Sequence, residues 1–94
     1  MKTVLVVKRR DPEAARLAAE LGAELLLMLD GVYLIEAGSE AANGVIGYAP
    51  KVLIHAYRRD VEERGLIHQL LPGVALVDAE EAVRLLSGAR AINA

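Results

Sequence analysis

Ninety-four residues, 54% of them hydrophobic and with a net charge of −2, make one domain near the small end of what folds alone on a single core. That composition excludes a disordered chain, and the charge gives no general reason to expect nucleic acid or an anionic membrane as a partner. There is no cysteine, which rules out disulfides, thiolate–zinc clusters and any sulfur chemistry carried covalently on these residues.

Residues 2–7 (KTVLVV) read as a first strand, closed by the basic trio Lys8-Arg9-Arg10. Asp11-Pro12-Glu13 is a helix start: Asp caps free N–H groups, Pro fits the first helical position and Glu complements the dipole. Ala14, Leu17, Ala18 and Leu21 follow at i, i+3, i+4 and i+7, an apolar stripe that Gly22 ends, with Arg16 and Glu20 paired on the wet face. Residues 24–29 (ELLLML) form a second strand. Its five consecutive large apolar residues, Leu25–Leu29, show no alternation, so both faces are covered, as in a parallel sheet. Asp30-Gly31 breaks it; Asp30 at this strand end is a candidate to orient a ligand, the plainer reading being that the pair simply makes the turn.

Val32–Ala37 starts a short helix that Gly38-Ser39 interrupts, and the pattern then degrades through Gly44 and Gly47. Within this stretch Val45, Ile46 and Tyr48 are apolar residues in a loop, either a folded-back lid or a partner-binding patch. The third strand is Lys51–Ala56, followed by the polar turn Tyr57-Arg58-Arg59. Asp60 and Glu63 have the spacing of a capping box, and Gly65 stops the helix. After a further turn over Leu66–Leu71, Pro72-Gly73 bends the chain into a fourth strand, Val74–Val77. Asp78 and Glu81 form a second capping box ahead of the stripe Ala79, Ala82, Val83 and Leu86; Ser87-Gly88 ends that helix and leaves a short tail.

Apolar strands alternating with amphipathic helices predict an α/β fold, a three-layer α/β/α arrangement around a mainly parallel four-stranded sheet. A flavodoxin-like order, 2-1-3-4, sets the carboxyl ends of strands one and three side by side. Open α/β sheets bind their ligands at such ends. Lys8, Arg9, Arg10, Arg58 and Arg59 then form a cationic rim suited to phosphate or a persulfide anion, the plainer reading being solvated loop residues. His55 inside strand three is a hydrogen-bonded core or interface histidine rather than a base, and Arg64 ties down the short helix rather than meeting a ligand. His55 and His68 do not form a helical ligand pair, so no metal site is expected. No Gly-rich phosphate loop is present and no catalytic residue is assigned. Met1–Val7 is too short for a signal-peptide core and no apolar run approaches the ~20 residues of a membrane span, so a cytoplasmic protein is expected.

The order of these elements resembles a known family. A second strand ending in Asp30-Gly31-Val32, a run from Val52 or Leu53 through Asp60-Val61 to Arg64-Gly65-Leu66, then Val74, Leu76, Val77 and Asp78 followed by Glu81, Val83, Leu85 and Leu86, is similar to the DsrH/TusB branch of the DsrE/DsrF/DsrH superfamily. The likeness covers nearly the whole chain except the loop around residues 38–50. It implies a non-catalytic subunit of a sulfur-relay assembly, of the kind that serves 2-thiolation of the tRNA wobble uridine or sulfur oxidation. It also implies DsrE/TusD-like and DsrF/TusC-like partners, of which the former carries sulfur on a cysteine, and no cofactor. This chain has no such cysteine, so no family catalytic residue carries over. Self-association to a dimer or beyond through Val45, Ile46 and Tyr48 is a further expectation, with direct nucleic-acid contact not expected. The alternative function is a stand-alone small-anion or phosphate-binding domain.

Overall fold

A computed structural model describes all residues, 1–94. Five strands, β1 (Thr3–Val7), β2 (Glu24–Leu27), β3 (Ile54–Tyr57), β4 (Ala75–Val77) and β5 (Arg90–Asn93), form one sheet in the order β4-β3-β2-β1-β5, every neighbouring pair parallel. Between them lie α1 (Ala14–Leu21), a 3-10 segment (Leu29–Ile35), α2 (Asn43–Ile46), α3 (Arg58–Glu63) and α4 (Ala79–Leu86). The parallel α/β class is as predicted, and its topology differs in two respects.

The strand order is not 2-1-3-4, and the tail expected after Gly88 is a fifth strand. Three successive connections, β1 to β2, β2 to β3 and β3 to β4, each step one strand in the same direction. Right-handed crossovers therefore place their helices on one face. Only the last connection travels back, which puts α4 on the opposite face and returns β5 to pair with β1. Strands one and three thus flank β2 instead of touching.

The alternation of side chains sorts the interior accordingly. Leu5, Val7, Leu25, Leu27, Ile54 and Ala56 pack with Ala14, Ala15 and Ala18 of α1, Val45 of α2, Val61 of α3 and Val32, Leu34 and Ile35 of the 3-10 segment. On the other face Val4, Val6, Leu26 and Val77 pack with Ala82 and Leu85 of α4. The predicted helical stripes are therefore rotated: α1 buries Ala15 and leaves Leu17 and Leu21 partly exposed, and α4 buries Leu85 while Val83 faces solvent. Alanines bring α1 close to the sheet, so its leucines lie along the margin.

Strand bounds are shorter than the apolar runs suggest. β2 stops at Leu27, and Val52 is buried in the turn before β3 rather than in a strand. Asp78 and Glu81 make the predicted capping box, each side chain bonding the other's backbone N–H, at 2.7 and 3.1 Å. Gly22 and Gly65 end α1 and α3 with φ of +64° and +70°, a conformation glycine adopts freely. Val45, expected in an exposed patch, is a core residue at 1% exposure because residues 43–46 form a helical turn that points it inward. Ile46 on the same turn is exposed and Tyr48 half-buried.

Candidate functional site

The carboxyl ends of β1, β2 and β3 lie side by side in that order, and the residues that leave them form one surface. Lys8, Arg9 and Arg10 follow β1, Leu29 and Asp30 follow β2, and Arg58 and Arg59 open α3 directly after β3; all are exposed. The two cationic clusters singled out from the sequence are thus on one edge of the sheet, as expected, but separated by the end of β2.

The β2 end is tightly specified. Met28 continues the ladder by donating its N–H to the Val7 carbonyl at 3.0 Å, and Gly31 then passes so close to β1 that a Cβ there would overlap the same carbonyl oxygen. Asp30-Gly31 is therefore more than a turn: the glycine is required by backbone approach. Between them, Leu29 turns into the left-handed region at φ +49°, the one non-glycine residue to do so. Its N–H donates to Asp60 Oδ2 at 2.7 Å.

Asp60 is consequently not the cap of a helix. α3 starts two residues earlier, without a side-chain cap, and Asp60 sits in its first turn at 6% exposure. A buried carboxylate needs partners, and Asp60 has Leu29 on one oxygen and the Arg64 guanidinium 3.7 Å from the other. Arg64 also donates to the Asp60 carbonyl and, through Nε and Nη2, to Asp30 Oδ1, each at 3.1–3.2 Å. It does tie α3 down, and Asp30 is the partner that holds it. Arg64 is one residue whose place here its own motif foreshadowed; Leu29 and Tyr33 gave no sequence signal.

The remaining cations divide. Arg10 stacks over the Tyr33 ring, 4.0 Å from its centroid, a cation–π contact. Arg59 lies 3.9 Å from Glu63, a loose exposed pair. Lys8, Arg9 and Arg58 form no ion pair. No cavity opens among them.

The one cavity, about 420 Å3, lies elsewhere and is lined by Ile46, Ala49, Pro50, Leu71, Pro72 and Gly73, none with a polar side chain. Next to it in the chain Glu36 pairs with Leu70, flanked by bonds from Leu71 N–H to Ile35 and from Ala37 N–H to Gln69. Of the predicted interface residues only Ile46 lines it. No group of three or more potential metal ligands is present, and no helix is long and apolar enough to cross a membrane.

His55 accounts for itself differently. Its Nε2 lies 2.8 Å from Glu24 Oε1, Glu24 also faces Lys2 at 3.8 Å, and the buried Nδ1 has no partner. It is a hydrogen-bonded sheet residue on the α4 face, remote from the strand ends that carry the cations. His68 is exposed in the turn after α3.

Comparison with known proteins agrees with this architecture. Two solved structures share the fold over essentially the full length: the MTH1491 protein of unknown function from Methanobacterium thermoautotrophicum (TM-score 0.73, 16% identity, 99% of this chain and 98% of that one) and the ychN protein from E. coli (TM-score 0.75, 18% identity, 100% of each). Among curated sequences, Protein TusB from Sodalis glossinidius (strain morsitans) is 39% identical over 87 residues, 87% of this chain and 90% of that protein. Protein TusB from Pectobacterium parmentieri is 36% identical over 64 residues, 68% and 65% respectively. The family model described as DsrH like protein matches residues 10–91, and the chain belongs to the DsrH family.

Proposed function

We propose that this protein is a non-catalytic, cytoplasmic subunit of a sulfur-relay complex, of the kind serving 2-thiolation of the tRNA wobble uridine. The observation that carries the reading is membership of the DsrH family, with TusB relatives, in a chain that has no cysteine. Relay of persulfide sulfur requires a thiolate as acceptor and donor. A member without one contributes structure and contacts, and the sulfur rides on a cysteine-bearing DsrE/TusD-like subunit beside a DsrF/TusC-like one. The strand ends fit that role, since Asp30, Asp60 and Arg64 are engaged in bracing the backbone and no nucleophile or base stands over a cavity.

The test is mass spectrometry after incubation with a cysteine desulfurase and cysteine. This chain alone gains no sulfur, and in the co-purified complex the added sulfur is found on the cysteine-bearing subunit. A stable sulfur adduct on this chain overturns the reading.

A second reading, a stand-alone small-anion-binding domain, draws on the unpaired Lys8, Arg9 and Arg58. Calorimetric titration with inorganic phosphate decides it: saturable binding lost in Arg9→Gln and Arg58→Gln supports it. The absence of a cavity among these cations favours the first reading.

A further inference from the structure

Leu29 is held in a conformation that its own packing does not reward. Positive φ brings the Cβ of any residue but glycine against its own backbone, and here the side chain stays 48% exposed rather than filling the core. The conformation is imposed from beneath, by the bond from the Leu29 N–H to the buried Asp60 carboxylate, which Arg64 braces in turn. An enforced, exposed aliphatic side chain is an outlier from which function is reasonably inferred.

Its surroundings say what kind. Val7 is in register with Leu27, and Leu27 with Ala56. The strands end there, so Lys8 and Arg9 leave β1 on one side of the β2 end that carries Leu29, and Arg58 opens α3 after β3 on the other; none of the three has an acidic partner. Six of the chain's eleven cations, Arg64 among them, are on this edge with the acids Asp30, Asp60 and Glu63, although acids outnumber cations overall, so the rest of the surface is more acidic than the net charge indicates. An apolar anchor inside a charged rim is the anatomy of a protein interface. Nucleic acid fits less well: of the two aromatic rings near these strand ends, Tyr33 already carries the Arg10 guanidinium on one face, and Tyr57 is half-buried against the Val4, Val6, Leu26 and Val77 cluster.

We propose that the strand-end surface centred on Leu29 docks an acidic protein surface, with the Leu29 side chain entering an apolar recess and Lys8, Arg9 and Arg58 meeting carboxylates around it. The choice of partner rests on the relay-subunit reading; the surface itself does not.

The experiment measures binding of the full chain to the cysteine-bearing DsrE-type and the DsrF-type subunits encoded in the same genome, by calorimetry, together with thermal melting of each variant. Leu29→Gly removes the anchor and relieves the backbone at once. It melts at the same or a higher temperature, yet its dissociation constant rises at least about tenfold, a combination that a merely structural residue does not give. The double change Arg9→Glu with Arg58→Glu, confined to exposed side chains, weakens binding further, and the loss shrinks as salt is raised. Binding undiminished in both variants overturns the docking surface and leaves the relay reading standing. A wild type that binds neither subunit overturns both. Retention of tRNA at physiological salt that is lost in the arginine variant but not in Leu29→Gly also overturns the proposal, in favour of nucleic acid.

Discussion

On one face of the sheet, three helices and the 3-10 segment close over Leu5, Val7, Leu25, Leu27, Ile54 and Ala56; on the other, α4 alone lies across Val4, Val6, Leu26 and Val77. An eight-residue helix is about 12 Å long, and five strands about 4.8 Å apart present a wider surface than it can cover. The uncovered part shows in the sequence of the strands. Where α4 is absent, the α4-side positions become Glu24 and His55, which bond each other, and Leu53, which is 66% exposed. The same sheet thus has one face specified by apolar packing and one that mixes packing with a polar pair. It is the heavily packed face that carries the 3-10 segment and α3, and hence braces the strand-end surface.

That comparison can be broken by substitution. The largest effect is expected at Gly31→Ala, where the new methyl meets the Val7 carbonyl and neither backbone can retreat. A loss of about 3–5 kcal/mol, a large part of the stability of a domain this size, is expected, seen as insoluble expression or a far lower denaturation midpoint. Normal stability in this variant would show that the β1–β2 end is not the tight junction described.

A matched pair sharpens the difference between the faces. Leu27→Ala, which opens a cavity on the closed side, is expected to cost about 3–4 kcal/mol by urea denaturation. Leu85→Ala, beneath the lone helix, costs about 2 kcal/mol because α4 settles more easily onto the sheet. Equal losses at the two sites would erase the distinction. The smallest effect belongs to Glu24→Gln, which weakens the contact to His55 and the long one to Lys2. On a half-open face this is worth about 0.5 kcal/mol, a change of a few degrees in melting temperature.

How far the sequence revealed this depended on how local each signal was. The unalternated run in β2 announced a strand covered on both faces, and Asp78 with Glu81 announced a helix start, because each pattern is complete within a few residues. Asp60 and Glu63 have identical spacing and do not cap, since a backbone N–H thirty-one positions away claims the Asp60 carboxylate. β5 was missed for a related reason. Arg-Ala-Ile-Asn has no apolar run, and as an edge strand it needs none; its identity comes from β1. Among the candidate site residues, the cations were legible as clusters at strand ends and Arg64 as a brace. The strand order that separates those clusters, and the torsion that lifts Leu29 between them, follow from crossovers and backbone contacts that no short window contains. Val45 misled because a single helical turn, too short to show periodicity, decides whether it points inward.

The pairing of β1 with β5 has a bearing on how the molecule is made. Thr3 is in register with Arg90, and the backbone of residues 90 and 94 bonds to that of residues 2 and 6. β1 is made before β5 and finds one neighbour soon, in β2, but its second neighbour is synthesised only after everything between them. Until then the nascent sheet has an open flank at β1, with Val4 and Val6 awaiting α4 as well. Contacts so distant along the chain form late and slowly, so the growing polypeptide carries an open strand edge at β1 until β5 has been made. Its exposure to misassembly is set by the time translation takes to reach Arg90, not by the stability of the finished domain.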